Sequence, residues 1–157
     1  MVRRIQLLKI AGIIPLFLLI QQFLSLSVSF AADEDIIWSK AYDGYARGVA
    51  IDSNNNIIVT GWTNVDGNYN YLTIKYGPNG NLLWSKTYDG GNGDGAYGVA
   101  IDSNNNIVVA GYSRIGTNYN IYTIKYDPNG NVLWSRTYDG GDDDCARDVV
   151  IDSNNNI

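Results

Sequence analysis

Three short segments carry a carboxylate and two side-chain amides on alternate residues, a spacing that could bind a cation. The sequence Asp-Ser-Asn-Asn-Asn occupies residues 52–56, 102–106 and 152–156. In calcium loops of the D-x-[DN]-x-[DN]-G-x5-E type, oxygens at these alternate positions bind Ca²⁺. The candidate metal ligands are Asp52, Asn54, Asn56, Asp102, Asn104 and Asn106.

The remainder of the calcium pattern is missing, and a hairpin turn explains the segment without a metal. Ile57 stands where the calcium loop has Gly, and Thr63 stands where it has the closing Glu. A turn of similar form at 127–131, Asp-Pro-Asn-Gly-Asn, suits a type I turn followed by a left-handed residue. We therefore expect hairpins with Asn105 in the left-handed conformation and no cofactor, with calcium as the alternative.

Several other chemistries are excluded from this stretch of sequence. It has no histidine, which removes Ser-His-Asp and Cys-His catalysis and His-containing zinc sites. The single cysteine, Cys145, aligns with Gly95 and has no intrachain partner. We expect a drifted loop residue there, with an intermolecular or reactive thiol as the alternative. No catalytic residue is assigned, and we expect the chain not to be an enzyme.

The elements that position these segments recur every fifty residues. The heptapeptide IDSNNNI begins at Ile51, Ile101 and Ile151, and the segment at 81–90 returns at 131–140 with the same spacing. A fixed period of this length is the signature of a repeat architecture. The third copy stops inside the heptapeptide, so we expect the chain to be a fragment of a longer protein.

Each repeat predicts four short strands. In the second unit these are Gly98–Asp102, Ile107–Tyr112, Ile121–Tyr126 and Asn131–Tyr138, all rich in β-branched and aromatic residues and bounded by Gly, Asn, Asp and Pro. The second strand is apolar on both faces from Ile107 to Ala110, which predicts a sheet covered on both sides.

The stretch from Val99 through Trp134 closely resembles the bacterial β-propeller repeat usually called SBBP. It reads GVAIDSNNNIVVAGYS and then YTIKYDPNGNVLW around its turns, and the likeness covers essentially everything after residue 31. The resemblance implies exported or cell-surface β-propellers, often of unassigned activity, and no catalytic residue. We expect an all-β fold: a partial, open β-propeller of four-stranded antiparallel blades. A flat or sandwich-like β array is the alternative.

The first thirty-one residues have the pattern of a secretory signal. Arg3, Arg4 and Lys9 precede an apolar segment at 10–20, and a small-x-small site ends at Ala31. We expect a secreted, periplasmic or cell-surface protein, with an uncleaved N-terminal anchor as the alternative. The predicted boundaries are 1–31 for the signal, 32–157 for the repeats, 36–42 for the outer strand of the closing blade, 46–88 for blade 1, 96–138 for blade 2 and 146–157 for a truncated blade 3.

The charge of the chain restricts its partners. The net charge is −5, and removal of the signal segment takes away three basic residues and no acidic one. An acidic exported chain without a basic stripe disfavours nucleic acid and anionic lipid surfaces. We therefore expect an unknown protein or glycan partner at the cell envelope, no nucleic acid, and no membrane beyond the N-terminal segment.

A candidate binding face is built from two sets of loops. The predicted second-to-third strand loops, Thr63–Asn70 and Ser113–Asn120, and the blade-to-blade loops, Asp89–Gly95 and Asp139–Cys145, lie on the same side of a meander. Binding residues concentrate on loops that a rigid scaffold holds; a merely solvated acidic rim is the alternative. The candidate residues are Asp66, Tyr69, Asp89, Asp94, Tyr119, Asp139, Asp142, Asp143 and Asp144, with Arg47 and Arg147 just beyond.

Periodic aromatic and basic residues have simpler interpretations than ligand binding. We expect Trp38, Trp84 and Trp134 to pack between blades rather than to stack on sugars, and Lys75 and Lys125 to be solvated strand residues. The sequence thus predicts a non-catalytic exported propeller module with a binding or scaffold role. The alternative is part of a propeller hydrolase or lyase whose catalytic residues lie in missing blades.

Overall fold

The computed structural model describes residue 40 and residues 42–157. All of them belong to a unit spanning Trp38–Ile157, and the other unit, Met1–Ile37, lies outside the described residues together with the predicted signal segment. The predicted strand 36–42 contributes only Lys40 and Tyr42 to the described part. In that part, no helix is long and apolar enough to span a membrane.

Eight strands form two four-stranded sheets, each an antiparallel meander in chain order. The strands of the first sheet are β1 (Tyr45–Ile51), β2 (Ile57–Val65), β3 (Asn68–Tyr76) and β4 (Leu82–Tyr88). Those of the second are β5 (Asp94–Ile101), β6 (Ile107–Ile115), β7 (Asn118–Tyr126) and β8 (Val132–Tyr138). The prediction of four antiparallel strands per repeat is confirmed. Residues 42–157 contain no helix, and their two sheets do not close into a ring.

The predicted loops between the second and third strands are wrong. Residues 63–70 and 113–120 were expected to be loops, but most of them continue the strands. The pairing of β2 with β3 extends to Val65 and Asn68, and that of β6 with β7 extends to Ile115 and Asn118. Only two residues remain in each connection, so the strands are longer and the hairpins tighter than the sequence interpretation supposed.

Turn chemistry explains the short connections. Asp66 and Gly67 have φ values of 51° and 88°, the left-handed pair that a two-residue type I′ hairpin requires. In the second unit Gly116 has φ 74° at the first central position, as a type II′ hairpin requires. The Asp-Gly dipeptide between strand-forming residues is a recognised hairpin signal, and it accounts for the short connection.

The Asp-Ser-Asn-Asn-Asn segments are hairpin turns with an internal carboxylate. Asn105 has φ 62°, which confirms the predicted left-handed position. Asp102 Oδ1 accepts hydrogen bonds from the backbone N–H of Asn104 (2.9 Å) and of Asn106 (2.8 Å). Its Oδ2 accepts another from Asn106 Nδ2 at 2.8 Å. The three copies share this arrangement.

The same turns also bind one another from repeat to repeat. The side-chain amide of Asn105 accepts a hydrogen bond from Ser53 N–H at 3.0 Å and donates one to Ser53 Oγ at 2.7 Å. Asn155 contacts Ser103 in the same way, at 3.0 and 2.9 Å. Asp, Ser and two of the three Asn residues therefore each have a structural role, a physical reason for the identity of the copies.

The hydrophobic core lies between the two sheets. The rings of Tyr88 and Tyr122 stack with centroids 4.1 Å apart, and Tyr71 meets both edge-on. Trp84 donates its indole N–H to the carbonyl oxygen of Pro128 at 3.1 Å, and its ring lies 5.8 Å from that of Tyr126. Trp84 thus packs between the sheets, as predicted.

The prediction of sheets covered on both faces is confirmed in the second unit. Ile107, Val108 and Val109 are completely buried and Ala110 is 3% exposed, although consecutive residues of a strand point to opposite faces. In the first unit a smaller apolar group around Leu72 lies on the face away from the core.

We expect Asn105→Gly to lower the free energy of unfolding by about 1 to 2 kcal/mol, because it removes two hydrogen bonds between repeats while glycine keeps the left-handed turn. Asn55→Gly is the matched control. Asn55 also has a positive φ, 60°, but its side chain makes no hydrogen bond to a described residue. Urea unfolding measures both variants. Equal losses in the two variants would contradict a role for the inter-repeat bonds.

Candidate functional site

The candidate calcium ligands Asp52 and Asp102 each pair with a lysine. Asp52 Oδ2 lies 2.9 Å from Lys75 Nζ, and Asp102 Oδ2 lies 2.7 Å from Lys125 Nζ. Lys75 is only 2% exposed, so the prediction that it is a solvated strand residue is wrong. Its ammonium is buried because the Asp52 carboxylate neutralises it and the Pro128 carbonyl accepts a further hydrogen bond at 3.1 Å.

These contacts determine what the carboxylates can bind. Burial alone would raise the pKa of Asp52, but hydrogen bonds from Asn56, Lys75 and Asn54 outweigh it and the pKa lies below its ordinary value. The pKa of Asp102 is lowered in the same manner, against the opposing effect of burial. Both oxygens of each carboxylate already accept hydrogen bonds, and a Ca²⁺ ion would have to displace an ammonium group. The hairpin interpretation thereby gains a physical reason.

Most acids of the predicted binding face hold their own loops in place. Asp66 belongs to the β2–β3 turn and Asp142 is exposed, as is Tyr69 at 45%. Five other carboxylates accept hydrogen bonds from backbone N–H groups at 2.5 to 2.9 Å. The carboxylate and donor pairs are Asp89 with Gly91, Asp94 with Gly90, Asp139 with Gly141, Asp143 with Tyr119, and Asp144 with Gly140.

Each sheet has a β-bulge in its first strand, which changes the direction of one large side chain. The β1–β2 register shifts between Ala46 and Gly48, and the β5–β6 register shifts between Ala96 and Gly98. Arg47 and Tyr97 are the extra residues, fifty positions apart. Bulges re-aim side chains and are frequent next to functional sites. Arg147 follows at the same interval, so one position of the repeat carries Arg, Tyr and Arg.

The two bulge residues belong to an arginine–aromatic surface, which we define as Arg47, Trp62, Tyr97, Tyr112 and Arg147. The Arg47 guanidinium lies 4.8 Å from the Trp62 ring centre and 5.8 Å from that of Tyr97. The Arg147 guanidinium lies 4.9 Å from the Tyr97 ring centre. These distances are within the range of cation–π attraction. The surface therefore crosses from one repeat into the next.

A cleft of about 360 Å³ lies at the second-unit end of this surface. Its aromatic wall is formed by Tyr97, Tyr112 and Tyr119, whose successive ring centres are 5.7 and 5.0 Å apart. The other wall is formed by Asp143, Asp144, Cys145 and Arg147. The structure thus brings Tyr119, Asp143 and Asp144 together in one cleft, while Asp66 and Tyr69 do not line it.

Cys145 is a half-buried free thiol in the wall of the cleft. Burial raises its pKa, against the opposing effect of Arg147. A raised pKa lowers the fraction of nucleophilic thiolate at neutral pH. Its Sγ lies 3.5 Å from the Ala146 carbonyl oxygen, and the residue forms part of the cleft wall.

We expect stability to fall as the pH is lowered through the acid range below 3.8, the ordinary pKa of these carboxyls. The pKa values of Asp52 and Asp102 are depressed in the folded state, so their stabilisation is complete above the unfolded value and is lost as pH falls through the folded values. Urea midpoints between about pH 6 and pH 2 measure this slope.

The variant for this measurement combines Asp52→Asn with Asp102→Asn and should make the acid slope shallower; Asp127 and Asp152, whose pKa values are also lowered, keep part of it. Asp142→Asn changes an exposed carboxyl that makes no hydrogen bond or ion pair with a described residue, and it should leave the slope as it is. If the double variant kept the wild-type slope, the two turns would not be the acid-sensitive groups.

The sequence reasoning noted Arg47 and Arg147 only as neighbours of the binding face, and it missed Trp62, Tyr97 and Tyr112. A usable signal was present, because position 47/97/147 departs from the repeat while Ala and then Gly or Asp flank it. A repeat position that changes among otherwise similar copies is free of the scaffold's requirements.

The chain matches no protein-family model and no curated protein.

Proposed function

We propose that the chain is part of an exported β-propeller of the SBBP type and that its two sheets are neighbouring blades. Three observations support this. Each fifty-residue repeat is one four-stranded antiparallel meander, the sheets pack face to face through an aromatic core, and β5 contacts β1, β2 and β3. Contact between the first strands of successive units is what blades arranged around a common axis require.

The module binds a neutral glycan at the cell envelope and carries out no catalysis. The observation that carries this proposal is the cleft with three tyrosine rings on one wall and a guanidinium with two carboxylates on the other. Largely preformed concave sites with aromatic walls and a few polar groups are the usual form of small-ligand sites. Several of the residues that form the site differ from their counterparts in the preceding repeat: Tyr97 stands where the first unit has Arg47, and Tyr112 where it has Trp62.

The mixture of donors and acceptors favours sugar hydroxyls. Arg147 can only donate hydrogen bonds and ionised Asp143 and Asp144 can only accept them, whereas a hydroxyl does both. Flat apolar rings such as Tyr119 suit the apolar face of a sugar ring.

The surroundings disfavour two other classes of partner. The neighbouring acids of the 139–145 loop would repel an anionic ligand. A protein partner would need a surface of about 800 Å² per side, whereas the cleft is a concavity of about 360 Å³, a size that suits a small ligand.

We expect the wild-type chain to bind at least one neutral oligosaccharide from a panel of cellohexaose, chitohexaose and maltohexaose, as measured by isothermal titration calorimetry. Tyr119→Ala should weaken that binding at least fivefold, corresponding to about 1 kcal/mol for a contact aromatic residue. Tyr69→Ala is the matched control, since Tyr69 occupies the same repeat position but does not line the cleft. Its affinity should equal that of the wild type.

Two results would contradict this function. One is an absence of binding to every neutral oligosaccharide together with binding to an anionic glycan such as heparin. The other is cleavage of a panel member, detected as new reducing ends, that Tyr119→Ala abolishes. The first would reject the ligand class, and the second would make the protein an enzyme.

Export is tested separately. When the 157-residue chain is expressed in a bacterium, we expect it in the periplasm or medium with Ala32 as its first residue, because the segment ending at Ala31 has the form of a cleaved signal. Cell fractionation and intact mass measure both outcomes. Substitution of Ala31 by Arg should block cleavage, whereas the same change at Asp33 should not. A full-length mass in the membrane fraction would instead support the uncleaved anchor.

A further inference from the structure

A row of three buried polar residues crosses the second sheet. Asp94 pairs with Ser113 in the β5–β6 register, and Ser113 pairs with Asn120 in the β6–β7 register. Residues directly opposite one another in a sheet project from the same face. Asp94 and Ser113 are completely buried and Asn120 is 4% exposed. Three oxygen-bearing side chains therefore lie side by side away from solvent.

Each of these side chains has an oxygen without a partner. Asp94 Oδ2 accepts a hydrogen bond from the backbone N–H of Gly90 at 2.7 Å, but Asp94 Oδ1, Ser113 Oγ and Asn120 Oδ1 have none. Two of these oxygens lie close to Gly90. If a Cβ atom were added to that glycine, it would overlap Ser113 Oγ and would lie 2.9 Å from Asp94 Oδ1. Buried polar atoms are nearly always satisfied, so unpartnered oxygens in one row imply a missing partner.

The first repeat provides an internal comparison. Its equivalent row is Gly44, Thr63 and Asn70, which lacks the carboxylate. Thr63 Oγ1 donates to the Asp43 carbonyl oxygen at 2.6 Å, and Asn70 Oδ1 accepts from Asn68 Nδ2 at 3.0 Å. No atom of this row is left without a partner. The unpartnered oxygens therefore accompany the carboxylate that distinguishes the second unit from the first.

The missing partner must neutralise the negative charge of Asp94 and accept lone pairs from the unpartnered oxygens. A fully buried carboxylate is unfavourable unless a cation neutralises it, and the ion pairs found among residues 42–157 do not include Asp94. A carboxylate, a hydroxyl and an amide oxygen are the donor set of hard cations. We propose that Asp94, Ser113 and Asn120 bind a hard cation of the Ca²⁺ type, at a site separate from the Asp-Ser-Asn-Asn-Asn turns.

The site would connect the loop between the sheets to the glycan cleft. Gly90 belongs to the loop at 89–93, which joins β4 to β5, and Asn120 directly follows Tyr119 of the cleft wall. A cation held by these residues fixes the start of β7 against the loop. The inference is independent of the proposed glycan, because it rests on buried residues that do not line the cleft.

Metal binding is measured on the full chain with two probes. Ca²⁺ is titrated by calorimetry, and Tb³⁺ is followed through its luminescence. Tyr88 can sensitise this luminescence, because its hydroxyl also lies beside Gly90, 3.1 Å from where a Cβ atom of that residue would be. We expect one high-affinity ion per chain, with Ca²⁺ competing for the Tb³⁺ signal. Asp94→Asn, which keeps the side-chain shape, should weaken binding at least tenfold, and Ser113→Ala should weaken it to a smaller extent.

Asp142→Asn is the control, since it removes an exposed carboxylate of the acidic loop and should leave the affinity unchanged. Thermal melting should show a rise with Ca²⁺ in the wild type and in Asp142→Asn, but none in Asp94→Asn. The proposal is overturned if the wild type binds neither ion, or if Asp94→Asn retains the wild-type affinity. It is equally overturned if Asp142→Asn loses binding as fully as Asp94→Asn, because the ion would then occupy the exposed loop.

Discussion

The hydrogen bonds between successive Asp-Ser-Asn-Asn-Asn turns set the spacing on which both sheets depend. Asn105 can reach Ser53 only because its backbone is left-handed, with φ 62°, and because Asp102 fixes the residues on either side of it. Half-buried Lys125 then ties the turn to its own sheet through the Asp102 carboxylate. One five-residue segment thus determines a hairpin, its attachment to the sheet and its distance from the preceding repeat.

Because these turns attach one repeat to the next, the strand ends away from the turns are available for other roles. The carboxylates of the turns at 52–56 and 102–106 are used by the scaffold, and the acids of the 89–93 and 139–143 loops mostly accept hydrogen bonds from nearby backbone. The bulges are less constrained, because the extra residue of a bulge has no partner in the strand pairing and its side chain points in a new direction. The arginine–aromatic surface occurs where the repeat imposes the fewest requirements.

Much of the fold followed from the sequence, because periodicity and turn residues are local signals. The fifty-residue repeat, the four strands and the left-handed Asn105 could each be derived from residue types alone. The second and third strands were predicted too short, because the loop interpretation made no use of the hairpin signal at Asp66-Gly67. The burial of Lys75 was also beyond reach, because its partner Asp52 is distant in sequence and meets it only after β1, β2 and β3 pair.

The candidate sites were harder to predict for the opposite reason: they are the places where the repeat fails. Tyr97 replaces the Arg found at 47 and 147, and Asp94, which recurs as Asp144, replaces the Gly at position 44. Alignment of the copies on their shared residues hides such differences, although in a repeat scaffold the shared residues describe packing alone. Asp94 is an example. In the first repeat the equivalent row has all its hydrogen bonds, whereas the row that contains the Asp94 carboxylate has three oxygens without partners. In this chain, chemistry should be sought at the positions where one repeat departs from the next.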